Sequence, residues 1–267
     1  MRILLFLLIA TSPIQGQDLI KAYDDENFAF QVKLVDEFIE RFNNTDSTLI
    51  KKYLKEEYNL EVDRHDLIVS LFNFSGKEWN KELIANFLND VLQTSQPPYL
   101  SFYDTEWYAK VVCLANYKMK PISFELILSV QYDQTSSTVN WAIRSLNSEA
   151  LGLCGNFEFS KLLPPSAHGN HFLELRRVFA SPEKYYDPKQ DNNNLMNKLL
   201  RLAQRNELVF QGVKDVSYHF LQIDKWILEV EEFERNMENS GWLISELVKA
   251  DASEKEKYLL KQLYLKP

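Results

Sequence analysis

Two of the four histidines in this chain stand three residues apart in "LLPPSAHGNHFLELRRVF", residues 162–179. They are His168 and His171, and Glu174 follows three residues later. Imidazole and carboxylate are the donor set of zinc and similar ions, and three or four converging ligands make a metal centre. On a helix beginning before His168, the three would share one face at successive i, i+3 steps. The common zinc helix instead spaces its histidines i, i+4 around a catalytic Glu, and that pattern is absent. Pro164, Pro165 and Gly169 place the helix start near Asn170, with Ser166 and Asn170 as caps of successive turns. His168 then belongs to the preceding loop and His171 to the first helical turn. His219, in "SYHFLQI", is the remote histidine able to complete such a set, but on an apolar strand it reads as a hydrogen-bonded core histidine. Two readings stand: a metal-assisted hydrolase using His168, His171 and Glu174 or His219, and a polar, capped helix entry.

The other candidate chemistry is thinner. His65 in "DRHDL" has Asp63 and Asp66 beside it, but no nucleophile signature accompanies it, and a helix-start cluster accounts for all three. The aromatic run "YLSFYDTEWY" offers Tyr99, Tyr103 and Trp107, with Phe102 and Tyr108, as a lining for a sugar or apolar ligand, or as ordinary core. Glu229, Glu231, Glu232 and Glu234 form a charge run of the kind found on a solvated strand face. Glycine is scarce, at seven residues, and no phosphate-cradling, dinucleotide-binding or nucleophile-elbow motif occurs. No motif calls for a cofactor.

These residues must be positioned by helices and strands that the hydrophobic period identifies. Val32, Val35, Phe38, Ile39 and Phe42 recur at three- and four-residue steps, predicting a helix over 28–42. A second helix follows Asp46 or Ser47 as N-cap. A third carries the stripe Trp79, Leu83, Phe87 and Val91, and Pro97 and Pro98 end it. From Thr105 the period changes to two. "TEWYAKVVCLANYKM", "ISFELILSVQY" and "TVNWAIRSL" predict a three-stranded antiparallel meander, with a turn at 133–137. The second half repeats the order: a helix through Phe172, Leu175, Val178 and Phe179, another in "NLMNKLLRLAQRNE", and strands "VSYHFLQI" and "WILEVEEF" joined at Asp224–Lys225. "NSGWLISELV" holds a turn whose Gly241 takes an unusual dihedral while Trp242 enters the core. A charged helix, "SEKEKYLLKQLYL", closes the chain. Helices before strands, twice over, indicate an α+β fold. The boundary falls near residue 148, separating an N-terminal α+β domain (17–148) from a C-terminal α+β segment (149–267) that is either separate or packed as one unit with it.

With 267 residues, 45% of them hydrophobic and 13% aromatic, the chain can bury a substantial core. Residues 1–16, "MRILLFLLIATSPIQG", have a charged start, a short apolar run and a small-residue end, the pattern of a secretory signal peptide. The run is too short for a bilayer, which needs roughly 20 residues. A soluble protein exported to the periplasm or beyond, with no transmembrane segment in the mature chain, is the expectation. Removing residues 1–16 takes away Arg2 and no acid, moving the net charge from −8 to −9. Nucleic-acid affinity comes mostly from phosphate neutralisation by Lys and Arg, so such a partner is disfavoured. Cys113 and Cys154 either form one disulfide, closing a loop worth about 3–4 kcal/mol by chain entropy, or remain unpaired thiols.

Three helices followed by an antiparallel meander resemble the cone-shaped NTF2-like (cystatin-like) α+β fold over roughly residues 20–148. The strings "PPSAHGNHFLEL", "YHFLQI" and "NSGWLIS", with the leader, resemble an uncharacterised family of exported Gram-negative bacterial proteins. That resemblance implies location and architecture and carries no chemistry onto residues; the cone-shaped fold hosts both enzymes and binding modules. The expected function is a non-enzymatic binding or structural module of the cell envelope, taking a protein or small-molecule ligand. The binding candidates are Tyr99, Tyr103, Trp107, His168 and His171.

Overall fold

Alternating burial decides the strands. A computed structural model describes residues 30–45, 48–133, 138–159, 161–186, 194–235 and 240–266; the expected leader, the caps Asp46 and Ser47, and most of the 133–137 turn lie outside them. The meander comprises β1 (Trp107–Tyr117), β2 (Lys120–Asp133) and β3 (Thr138–Ser148). After it come β4 (Leu153–Asn156), the short β5 (Leu162–Leu163), β6 (Leu208–Phe220), β7 (Trp226–Phe233) and β8 (Gly241–Lys249). They build one 8-stranded antiparallel sheet in the order β4-β3-β2-β1-β6-β7-β8, with β5 beside β3. The joint between the halves of the chain is the β1–β6 ladder, running from Trp107↔Phe220 to Tyr117↔Leu208. Residues on both sides of position 148 therefore share one sheet and one main hydrophobic core.

One face of the sheet carries that core. Trp107, Ala109, Val111 and Cys113 of β1 are buried and lie opposite Phe220, Tyr218, Val216 and Val213 of β6. Helices α1 (Val35–Asn43), α2 (Leu49–Tyr58), α3 (Arg64–Ser70) and α4 (Lys81–Leu92) precede the sheet; α5 (Leu175–Ala180), α6 (Pro182–Tyr185) and α7 (Leu195–Gln204) fall between β5 and β6. The apolar stripe of α1 enters the core through Phe38, stacked on Phe220 at 5.5 Å. That of α4 enters through Phe87, edge-on to Trp226 at 5.3 Å, and α5 lays Phe179 on Phe210 at 4.6 Å. The opposite face is covered by α8 (Ala252–Gln262), started by a capping box of Asp251 and Glu254. Tyr258 and Leu259 of α8 pack on a small cluster of Leu221, Ile227 and Ala250. Among the described residues, no helix is long and apolar enough to cross a membrane.

Two expectations change, and one of two open alternatives is taken. Within the helix predicted over 28–42, the segment 31–34 is not helical and Val35–Asn43 is, because Val32 is drawn into a parallel bridge with Gly241 of β8. Trp242 N–H donates to the Val32 carbonyl at 2.7 Å, and a Cβ on Gly241 would sit 2.0 Å from that oxygen. With φ at +84°, this position requires glycine. The helix expected near Asn170 begins at Leu175 instead, since Pro165–Asn170 forms a 3-10 turn and His171 and Phe172 both adopt left-handed backbone. The Cys113–Cys154 disulfide does not form, and both thiols are free. Cys113 is buried on β1 and Cys154 exposed on β4, with β2 and β3 between them. Three strand spacings of about 4.8 Å exceed the reach of a disulfide.

Candidate functional site

The 3-10 turn Pro165–Asn170 sets His168 against α1. Its Nδ1 lies 2.8 Å from the Pro165 carbonyl and its Nε2 lies 3.1 Å from the Asp36 carboxylate. The ring is wedged between Phe102, at 5.0 Å, and Trp141, at 6.0 Å, whose indole N–H sits 3.4 Å from Nδ1. His168 is thus an anchor: its side chain is 9% exposed, while that of Asp36 is 48% exposed and faces solvent.

A cleft of ≈ 490 Å³ opens beside this pair. One wall is α1, where Asp36, Ile39 and Glu40 fall on one face at i, i+3 and i+4. Phe102 and Tyr103 form the second wall, and Pro165, Ser166 and His168 the third. The lining holds two carboxylates and no Lys or Arg. Burial, with Asp36 and Glu37 adding their charge, holds the Glu40 carboxyl above its usual range. Tyr103 is 70% exposed, an uncovered aromatic ring beside two acids.

Two amide forks hold the aromatic wall. Asn43 Nδ2 donates to the Leu100 carbonyl at 2.7 Å, and Asn43 Oδ1 accepts from the Leu100 N–H at 2.9 Å. Gln222 repeats the arrangement on Ser101, at 2.8 Å in each direction. Arg64, at the start of α3, donates to the carbonyls of Phe42, Val91 and Pro98, tying α1 and α4 to the segment that leads into the wall. Sequence reasoning passed over Asn43, Gln222 and Arg64; single polar residues with distant backbone partners leave no periodic signal. The acids of the cleft carried one readable clue, the i, i+4 placement of Asp36 and Glu40 on the polar side of a helix.

No family model, curated protein or solved structure matches the chain.

The remaining sequence candidates scatter. His171 faces away from His168 and donates to Glu232 at 2.8 Å while stacking on Trp242. Glu174 accepts from Asn170 at 2.8 Å through Oε1. His168, His171 and Glu174 therefore do not converge as a ligand set: each side chain has a different partner, and the backbone turns left-handed at His171 and Phe172, where the 3-10 turn ends. His219 is the buried, hydrogen-bonded histidine expected, bracketed by Ser217 Oγ at 3.0 Å and Tyr258 OH at 2.7 Å. Of the aromatic candidates, Phe102 and Tyr103 line the cleft. Trp107 is fully buried and stacked on Phe220 at 5.1 Å, so it is core rather than lining. Tyr99 lies under the Arg64 guanidinium at 4.5 Å, outside the cleft. Asp63, His65 and Asp66 bring ligand atoms within 4.8 Å of one another, all exposed, and Asp63 is occupied as the N-cap of α3. Asp36, Glu40, Phe102 and Tyr103 together can attract an organic cation: carboxylates supply charge and hydrogen-bond acceptors, and the rings supply a cation-attracting face.

Proposed function

We propose that the protein is an exported, non-enzymatic binding module, and that its cleft takes an amine or guanidinium group presented by a small molecule or a partner. The observation that carries this reading is the lining itself: Asp36 and Glu40 beside the exposed ring of Tyr103, with no Lys or Arg in the lining. Burial and then the charges of Asp36 and Glu37 raise the Glu40 carboxyl, and a bound positive charge would relieve that repulsion. Export and a place in the envelope rest on the leader-like residues 1–16, and the NTF2-like description of residues 17–148 rests on helices followed by a meander.

Titration of the isotope-labelled chain with N-acetyl-arginine methyl ester tests the cleft by NMR. The expected result is saturable shifts at Tyr103, Ser166 and His168, weakened by rising salt and lost in Asp36→Asn/Glu40→Gln. An uncharged analogue that binds equally well would overturn the cation reading. Export is tested separately, by expressing the full chain in a Gram-negative host and reading the N-terminus of the periplasmic product. An uncleaved cytoplasmic protein would remove that part of the proposal.

A further inference from the structure

The ladder between β6 and β7 is short. It covers Ser217↔Glu231 to Phe220↔Leu228, whereas β6 stays paired with β1 all the way back to Leu208. Over Leu208–Val216, β6 therefore has a strand partner on one side only among the described residues. Both register shifts of the β1–β6 ladder fall in this stretch, between Asp215 and Val213 and between Gly212 and Phe210. Each leaves an extra residue on β6, and such a bulge bends and over-twists its strand, which swings β6 away from β7.

The divergence opens a second cleft of ≈ 620 Å³, lined by Val213–Val216 on one side and Glu231–Glu234 on the other, with His171 at its side. Its charge is lopsided. Asp215, Glu231, Glu232 and Glu234 face it with Lys214, whose amine is 3.0 Å from Asp215 and is partly neutralised there. His171 is similarly engaged by Glu232. We propose that this wedge is a strand-addition site, in which an extended peptide carrying lysine or arginine lies along the free edge of β6. Backbone hydrogen bonds to the edge would supply affinity, and the acidic flank of β7 would select basic side chains. The four edge residues span about 13 Å at ~3.3 Å per residue, enough for a short ladder. The partner is thus identified by chemistry: a basic, extended segment of another chain, docking apart from the His168 cleft.

The probe is a synthetic hexapeptide of alternating lysine and valine, titrated against the labelled full chain. Expected are saturable amide shifts at Val213–Val216 and Glu231–Glu234, with Tyr103 and His168 unmoved. Methylating alternate backbone nitrogens of the peptide keeps its charge and removes strand hydrogen bonds, and should weaken binding roughly tenfold. The Glu231→Gln/Glu234→Gln variant, with both changes at solvent-accessible positions, should weaken it roughly fivefold without altering the melting curve. Equal binding of the methylated peptide would overturn strand addition, and an unchanged affinity in the double variant would overturn the selection for basic segments. Absence of saturable shifts in the wedge would overturn the site altogether.

Discussion

On one face of the sheet, Trp107, Trp141, Tyr218 and Phe220 pack ring against ring beneath α1 and the 3-10 turn. On the other face, the same strands present Tyr108, Lys110, Ser217, His219 and Glu229, and α8 lies across part of them. The first face is held by burial of large apolar surface, which is non-directional and of large magnitude. The second is held by directional contacts: His219 to Tyr258 at 2.7 Å, Lys255 Nζ to the Leu221 and Ile223 carbonyls at 2.7 Å each, and Ser145 Oγ to the Leu263 carbonyl at 2.7 Å. Hydrogen bonds contribute modestly when made and cost more when one partner is removed. The aromatic face should therefore set total stability, and the polar face should set its dependence on pH.

Trp141→Ala gives the largest expected effect. It empties a fully buried position in contact with Trp107, Phe102 and Phe172, and should lower unfolding free energy by about 3–5 kcal/mol in urea titration. A loss below about 1 kcal/mol would break the contrast between the faces.

On the polar face, burial and then Lys110 push His219 down to about 3, from 6.5 when unfolded. Between those values the unfolded chain binds more protons, so stability falls as pH falls, with a slope of up to about 1.4 kcal/mol per pH unit from this ring. His219→Gln should flatten the pH dependence of the urea midpoint in that window, while lowering its level at neutral pH.

Glu229 works in the opposite direction. Burial first, then Glu231 and Glu246, raise its carboxyl, and Glu246 is its direct cross-strand partner. An acid raised in the fold disfavours folding while ionised, so its cost disappears as pH falls through the folded value. Glu229→Gln should stabilise the protein at neutral pH by about 0.5 kcal/mol, and the gain should shrink on acidification. A constant gain would show that the charge is irrelevant.

The smallest expected change tests the Tyr218 hydroxyl of the aromatic face. Tyr218 OH is buried without a hydrogen-bond partner among the described residues. Tyr218→Phe should be close to neutral by thermal melting, with any gain smaller than that of Glu229→Gln. A clear loss would show that the hydroxyl has a partner.

Strands β1, β2 and β3 were legible in the sequence because inward and outward residues alternate along each one, a property carried by neighbours in the chain. The burial of Trp107 was half legible: its strand face could be read, but whether that face met a ligand or α1 could not. Helix α1 was overextended by prediction because Val32 fits the helical stripe, and only its bridge to Gly241 removes it. The candidate site was the least legible part. His168 and Asp36 are 132 residues apart, and the Gln222 fork on Ser101 spans 121. No local period encodes either meeting.

Local periodicity and capping residues determined the elements, their class and most of their buried faces, since each depends on residues a few positions apart. The tertiary structure alone decided that β6 joins β1 to make one sheet, that Cys113 and Cys154 are kept apart by two intervening strands, and that His168 and His171 serve different clefts. Those outcomes follow from long-range strand pairing and from a left-handed backbone at His171 and Phe172, and the burial of Phe172 against Trp141 is what holds that backbone in place.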